Sequence, residues 1–304
     1  MKLYITILVC VIALSGVVLA DTFGTGDNQF NIDFVPIGNA GNSGDTRVEA
    51  NPYGCGAVGY NYRIGKYEVT NAQWNAFTII AGAPTGNQIG AYNETAYWEG
   101  DQQPTNFVSW YEAAQFCNYL TSGDKIQGVY QFSGNNANPG DFLSSLDHET
   151  AGTIYGTAYF LPTEDEWYKA AYFKPDGSGY STYANGEESI PASDNGWNYY
   201  GGSYGPPWDV RTGVQEQNGT FDMMGNVCEW NETLIDGSYR GIRGWSYDSG
   251  GADPTGYYLS SSGRYDVLRD PSFENDSVGF RIASVPEPST LLLLGLGGLL
   301  LRKK

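Results

Sequence analysis

Thiols and imidazoles carry most metal and nucleophile chemistry, and this chain has four cysteines and one histidine. Cys10 lies in an apolar N-terminal run, which leaves Cys55, Cys117 and Cys228. No CxxC pair occurs. Outside a reducing cytoplasm an odd number allows at most one disulfide, with a thiol left free or paired to another molecule. The lone histidine stands in the polar run Asp147-His148-Glu149 and reads as an exposed loop residue. Without a second imidazole, neither a His-rich zinc site nor a Ser-His or Cys-His couple can be assembled elsewhere.

The elements that must position any site are read from capping and periodicity. Thr70-Asn71-Ala72-Gln73, Ser109-Trp110-Tyr111-Glu112 and Thr163-Glu164-Asp165-Glu166 are three capping boxes, each predicting a helix start. Val69 and Trp74 occupy the hydrophobic-staple positions of the first. Trp110, Ala113, Ala114 and Cys117 form one stripe of the second, and Trp167, Ala170 and Ala171 one face of the third. Such stripes are core, and Cys117 within one is a small buried hydrophobe. Residues 60–67 alternate as a strand does. After Tyr172 regular signals thin, and 174–218 is rich in Gly, Ser, Tyr, Pro and Asn. Loops this long inside a compact domain need a metal, a ligand or aromatic packing to hold them.

An aromatic content of 15% with 41 Gly excludes a disordered chain and indicates one loop-rich domain. With 34 Asp+Glu against 16 Lys+Arg, the net charge of −18 repels nucleic acid and anionic lipid and suits divalent cations.

Both ends carry addresses. Met1-Lys2, an apolar run from Leu3 to Leu19, and Val18-Leu19-Ala20 before Asp21 have the form of a signal peptide cut after Ala20, covering 1–20. Residues 21–29 are rich in Gly, Asp and Asn and read as a mobile leader. At the other end, Val285-Pro286-Glu287-Pro288-Ser289-Thr290 precedes a Leu/Gly run to Leu301 and then Arg302-Lys303-Lys304. As helix, 289–301 would be about 20 Å long, short of the roughly 30 Å bilayer core, so it is a poor permanent span but a good processing signal. Residues 285–304 resemble the PEP-CTERM sorting signal of Gram-negative bacteria, which implies an exosortase-type processing enzyme as partner. The resemblance also implies export to the cell envelope and at least transient membrane anchoring through the tail. The basic end stays cytoplasmic by the positive-inside rule.

Several strings occur in order: 67–74 (YEVTNAQW), 108–114 (VSWYEAA), 161–167 (LPTEDEW), 221–230 (FDMMGNVCEW), 243–247 (RGWSY) and 278–281 (VGFR). Together they resemble the sulfatase-modifying-factor domain, the family of the formylglycine-generating enzyme, over residues 30–284. The resemblance implies an α+β fold that is loop-rich, has little regular secondary structure and is related to C-type lectins. It also implies a calcium site formed by Asp222, the carbonyls of Gly225 and Val227, and Glu229, a donor set of the kind calcium accepts. A second family calcium site would fall within 194–199, with ligands that cannot be placed.

Fold does not settle activity. The formylglycine-generating enzyme is expected to bind copper through a cysteine pair, since soft thiolates select Cu(I). Counted straight across, that pair falls near Ser249 and Pro254, and 247–264 holds neither Cys nor His. Copper is therefore not expected, and no catalytic residue is assigned. A relative that joins sulfur to histidine derivatives with iron would want several histidines. Phe160 and Cys228 also depart from the family's usual Arg and Trp, as packing changes. The preferred reading is a non-catalytic binding module for extracellular polysaccharide or matrix, presenting Trp197, Asn198, Tyr199, Trp208, Tyr257 and Tyr258 to stack on sugar faces and bond hydroxyls. The alternatives are a formylglycine-type oxidase or other divergent enzyme, and a structural envelope protein joined through Cys55 or another thiol.

Overall fold

The computed structural model describes residues 19–84, 97–193, 196–199, 205–248, 256–264 and 269–286. The expected signal peptide and sorting tail lie outside them, apart from Leu19, Ala20, Val285 and Pro286 at their inner edges.

In chain order the elements are β1 (Leu19–Phe23), β2 (Phe30–Ile37), β3 (Tyr62–Gly65), α1 (Asn71–Ala81), α2 (Trp110–Ser122), β4 (Tyr130–Phe132), β5 (Phe142–Ser145), α3 (His148–Tyr155), β6 (Ala158–Phe160), α4 (Glu164–Tyr172), β7 (Cys228–Asp236), β8 (Tyr239–Arg243), β9 (Val278–Gly279) and β10 (Ala283–Val285). The main sheet runs β1-β2-β3-β10-β6, with β8-β7-β9 and β4-β5 as smaller sheets. All neighbours in the main sheet are antiparallel, and β10 inserts between β3 and β6. The end of the domain is thereby locked to its beginning.

All three capping boxes form, with Thr70, Ser109 and Thr163 each accepting from the N3 amide while Gln73, Glu112 and Glu166 reach back. That reciprocity satisfies two of the orphan donors at each helix start. Trp110, Ala113, Ala114 and Cys117 are buried, as are Trp167, Ala170 and Ala171. Trp74, Phe77, Phe116 and Phe280 pack edge to face or tilted at centroid distances of 5.1 to 6.0 Å. Rings carry the helix-poor core because each buries a large apolar area.

Residues 21–29 do not form the expected mobile leader. They run through β1 and a short 3₁₀ turn, with Phe23 paired to Phe30. Asp21 ties the strand down: its carboxylate accepts from Arg63 at 3.1 and 2.5 Å and from the Tyr159 hydroxyl at 2.7 Å. A glycine-rich composition fails to predict mobility here because two side chains anchor the segment.

Candidate functional site

The turn 222–229 sits at the junction of the loop-rich half and the sheets. Asp222, Gly225 and Asn226 have φ of 62°, 96° and 60°, so the chain doubles back through left-handed conformations that side chains rarely adopt. Gly225 is required for a second reason: a Cβ there would lie 2.4 Å from the Asn198 carbonyl oxygen.

Asn226 gathers the neighbouring segments. Its amide nitrogen donates to the Asn198 carbonyl at 2.7 Å, and its Oδ1 accepts from Trp208 N at 2.8 Å and Asn198 Nδ2 at 3.2 Å. Its Nδ2 donates to Glu68 Oε2 at 2.6 Å, and its carbonyl accepts from Tyr247 N at 2.8 Å. Glu68 Oε1 accepts from Val227 N at 3.0 Å. One buried asparagine therefore fixes the loops that carry Asn198, Trp208 and Tyr247.

Beneath the turn, Glu229 and Arg281 form a fully buried ion pair. Arg281 Nε donates to Glu229 Oε2 at 2.6 Å, Trp167 Nε1 donates to the same oxygen at 2.7 Å, and Arg281 Nη2 serves Oε1. The guanidinium also donates to the carbonyls of Gly65 and Phe221. Glu68, Glu216 and Asp222 surround this pair, all buried. Burial, more than any neighbour, pushes the Glu216 carboxyl up to about 8 and that of Asp222 up to about 7, although Arg281 pulls both down.

The four expected calcium ligands divide. Asp222 Oδ2 is buried without a hydrogen-bond partner, an exception among buried polar groups, which are nearly always paired. Glu229 is not free in the same sense, because both of its oxygens serve Arg281 and Trp167. Among the described residues no group of three or more His, Cys, Asp and Glu is arranged to hold a metal. The second expected calcium region is described only at 196–199.

The aromatic candidates are brought partly together. Trp197, Tyr199 and Trp208 are half-buried, Asn198 is buried, and Tyr257 is 40% exposed. Tyr258 stacks flat on Trp245, with centroids 4.0 Å apart and planes at 5°. The Tyr199 hydroxyl donates to the Pro191 carbonyl, and Ile190 packs so closely on Gly256 that a Cβ there would meet it. Segment 190–191 thus links the 197–199 loop to the Tyr257–Tyr258 turn. Sequence reasoning missed Asn226, Glu68 and Trp245 as organisers. All three lay in the recognised strings, but their partners are far away along the chain.

Two readings from the sequence change. His148 is not an exposed loop residue: it is the buried first residue of α3. Its ring lies 3.5 Å from that of Phe160 and bridges Glu166 at 3.1 Å and Glu232 at 2.9 Å. Burial alone would lower its pKa, but the two carboxylates outweigh that and push it up to about 10. The partners are brought by α4 and β7, which is why a polar local sequence misleads. Cys55, Cys117 and Cys228 are all free and buried. Burial pushes the Cys228 thiol up to about 12 and raises those of Cys55 and Cys117 as well. Ser249 and Pro254 lie outside the described residues.

Comparison with known proteins gives these features a lineage. Residues 34–285 match the sulfatase-modifying factor enzyme 1-like domain, and residues 284–304 match the PEP-CTERM protein-sorting motif. A protein named chaperone protein LppX, from Paenibacillus barcinonensis, is 26% identical over 187 residues, 56% of this chain and 61% of its own length. The chain therefore spans about three fifths of that relative. Among solved structures, Treponema denticola variable protein 1 is similar at a TM-score of 0.58 and 24% identity, covering 88% of this chain and 99% of its own. PvdO from Pseudomonas aeruginosa is similar at a TM-score of 0.54 and 18% identity, over 87% of this chain and 97% of its own. These likenesses establish the loop-rich α+β fold.

Proposed function

The chain belongs to the sulfatase-modifying factor enzyme 1-like family, and from that premise we propose that it is a non-catalytic binding module for extracellular polysaccharide or matrix. The sorting motif implies an exported envelope protein whose tail an exosortase recognises and the membrane anchors. Among the described residues no helix is long and apolar enough to cross a membrane.

The observation that carries the proposal is the Asn226 junction, which holds the Trp208 and Asn198 loops on a buried polar centre. Aromatic side chains held by a rigid support lose little freedom when a ligand stacks on them. The thiols support the non-catalytic half. Thiolate, not thiol, binds copper and attacks, and burial keeps Cys55, Cys117 and Cys228 protonated. Copper does not fit this donor set, so no oxidase step is derived through it.

Calcium remains part of the proposal. Asp222 would supply the carboxylate, and the Gly225 and Val227 carbonyls the neutral oxygens. Glu229 would have to share its oxygens with Arg281. The ion would act structurally, offsetting a surplus of buried acid. The acidic surface argues against nucleic acid as a partner.

The test is affinity electrophoresis of the full chain in detergent through gels containing dextran, hydroxyethylcellulose or glycol chitosan. We expect retardation by at least one polysaccharide, relieved in Trp208→Ala/Tyr257→Ala. Free migration in all three gels, or retardation unchanged in the double variant, contradicts the proposal.

A further inference from the structure

Within the calcium reading, on which this step rests, we propose that the second carboxylate ligand is Glu216 and not Glu229. Glu216 lies outside the recognised strings. Four acids surround Arg281, and their oxygens are not equally engaged. Glu229 serves Arg281 and Trp167 with its two oxygens. Glu68 accepts from Val227 N with one oxygen and from Asn226 Nδ2 with the other. The buried carboxylate oxygens of this cluster left without a partner are Asp222 Oδ2 and Glu216 Oε1. Asp222 is 5% exposed and Glu216 4%. Buried anionic oxygens left unpaired are costly, and one divalent cation would satisfy both.

The chain brings the two side chains to one place. Between 216 and 220 the backbone turns back on itself, with Glu216 N donating to the Thr220 carbonyl at 2.9 Å and Gly219 N to the Glu216 carbonyl at 2.9 Å. The Glu216 side chain follows that turn. Its Oε2 accepts from the Thr220 hydroxyl at 2.9 Å and from Met223 N at 3.2 Å. The carboxylate is thereby held against residues on both sides of Asp222, with Oε1 uncommitted. Arg281 and Asp222 are the charges that act most strongly on it. Gly213 leaves room beside Asp222: a Cβ there would lie 3.0 Å from Asp222 Oδ1 and 2.9 Å from the Gly196 carbonyl oxygen.

Electrostatics separate Glu216 from Glu229. With calcium–oxygen distances of about 2.3–2.6 Å, an ion bonded to a Glu229 oxygen would stand within about 5 Å of the Arg281 nitrogen on that same oxygen, and like charges at that range repel. Glu216 has no such companion, because the guanidinium's hydrogen bonds go to Glu229, Gly65 and Phe221. Asp222, Glu216 and the Gly225 and Val227 carbonyls would supply part of the shell, and water can complete the roughly six to eight oxygens that calcium takes. This set needs only two acidic side chains, so the absence of a larger His, Cys, Asp and Glu group among the described residues does not exclude it.

The test is calorimetric titration of the chelator-treated full chain in detergent with calcium chloride, paired with thermal unfolding in EDTA and in calcium. We expect the native chain to bind, Asp222→Asn to lose binding, and Glu216→Gln to bind about tenfold or more weakly, the scale of one bond to a charged group. Glu216→Gln keeps an oxygen for Thr220 and Met223 and sheds surplus buried acid, so in EDTA it should be at least as stable as the native chain. In calcium the order should reverse. That crossing separates a ligand from a residue that only supports the turn, whose loss would destabilise the chain equally in both solutions. Calcium affinity unchanged in Glu216→Gln but lost in Asp222→Asn overturns the role of Glu216 and leaves the calcium reading standing. Lower stability of Glu216→Gln in EDTA, with an undiminished gain from calcium, does the same. No calcium binding by the native chain, or binding that survives Asp222→Asn, overturns both.

Discussion

Two buried charge clusters brace this domain, and they balance differently. At Arg281 one guanidinium stands among Glu68, Glu216, Asp222 and Glu229, and oxygens of Asp222 and Glu216 remain without hydrogen-bond partners. At His148 one imidazole bridges two carboxylates, and Glu232 also accepts from the Tyr130 and Ser145 hydroxyls. The first cluster has more acid than it can pair, and the proposed calcium would offset that surplus. The second is complete and serves as a three-way brace between α3, α4 and β7. Breaking a buried pair by removing one partner is costly even where forming it contributes little. The two clusters should therefore differ most in what an added ion does to them.

The largest effect is expected at the first. Arg281→Met strands the Glu229 carboxylate and should cost about 3–5 kcal/mol in denaturant unfolding; a loss below about 1 kcal/mol would remove Arg281 from its central place. Calcium comes next. At about a hundred times its dissociation constant an ion that binds only the folded state adds about 2.7 kcal/mol. The native chain and His148→Leu should show that gain by calorimetry, and Asp222→Asn should not. No calcium response in the native chain would retire the ion. His148→Leu itself should cost about 2–3 kcal/mol, the price of a buried charged partner left unmet.

The pH dependence sharpens the contrast. Because the folded pKa of His148 is raised from 6.5 to about 10, its contribution is fully present below pH 6.5 and fades as pH rises from there through about 10. The stability gap between the native chain and His148→Leu should close over that window. A gap constant from pH 6 to pH 10 would mean the imidazole is not the paired cation. The smallest effect is at the helix start beside this brace: Thr163→Ala removes one half of the α4 capping box and should cost about 1 kcal/mol, with no change in the pH window.

How much was legible in sequence follows the same division. The α1, α2 and α4 starts were readable because a capping box is local, with both partners within three residues. The strings containing Glu229 and Arg281 pointed to the fold, yet their pairing spans β7 to the residues beyond β9 and has no local signature. His148 was misread because its partners arrive from α4 and β7, while its neighbours Asp147 and Glu149 are polar. Phe160, read as a packing departure, is the ring on which that imidazole stacks. Segment 21–29 was misread because Asp21 finds Arg63 and Tyr159 only once the sheet is assembled. The aromatic loops were visible as loops, but the asparagine that holds two of them was not, since its bonds reach residues 68, 198 and 208.

That this chain binds rather than oxidises is the proposal on which the account turns. The most direct test loads the full chain with copper, incubates it in air with a sulfatase-type cysteine peptide, and follows the peptide by mass spectrometry beside an active formylglycine-generating enzyme. The account predicts an unmodified cysteine in the presence of this chain and conversion by the control. Conversion to formylglycine by this chain would contradict the non-catalytic reading.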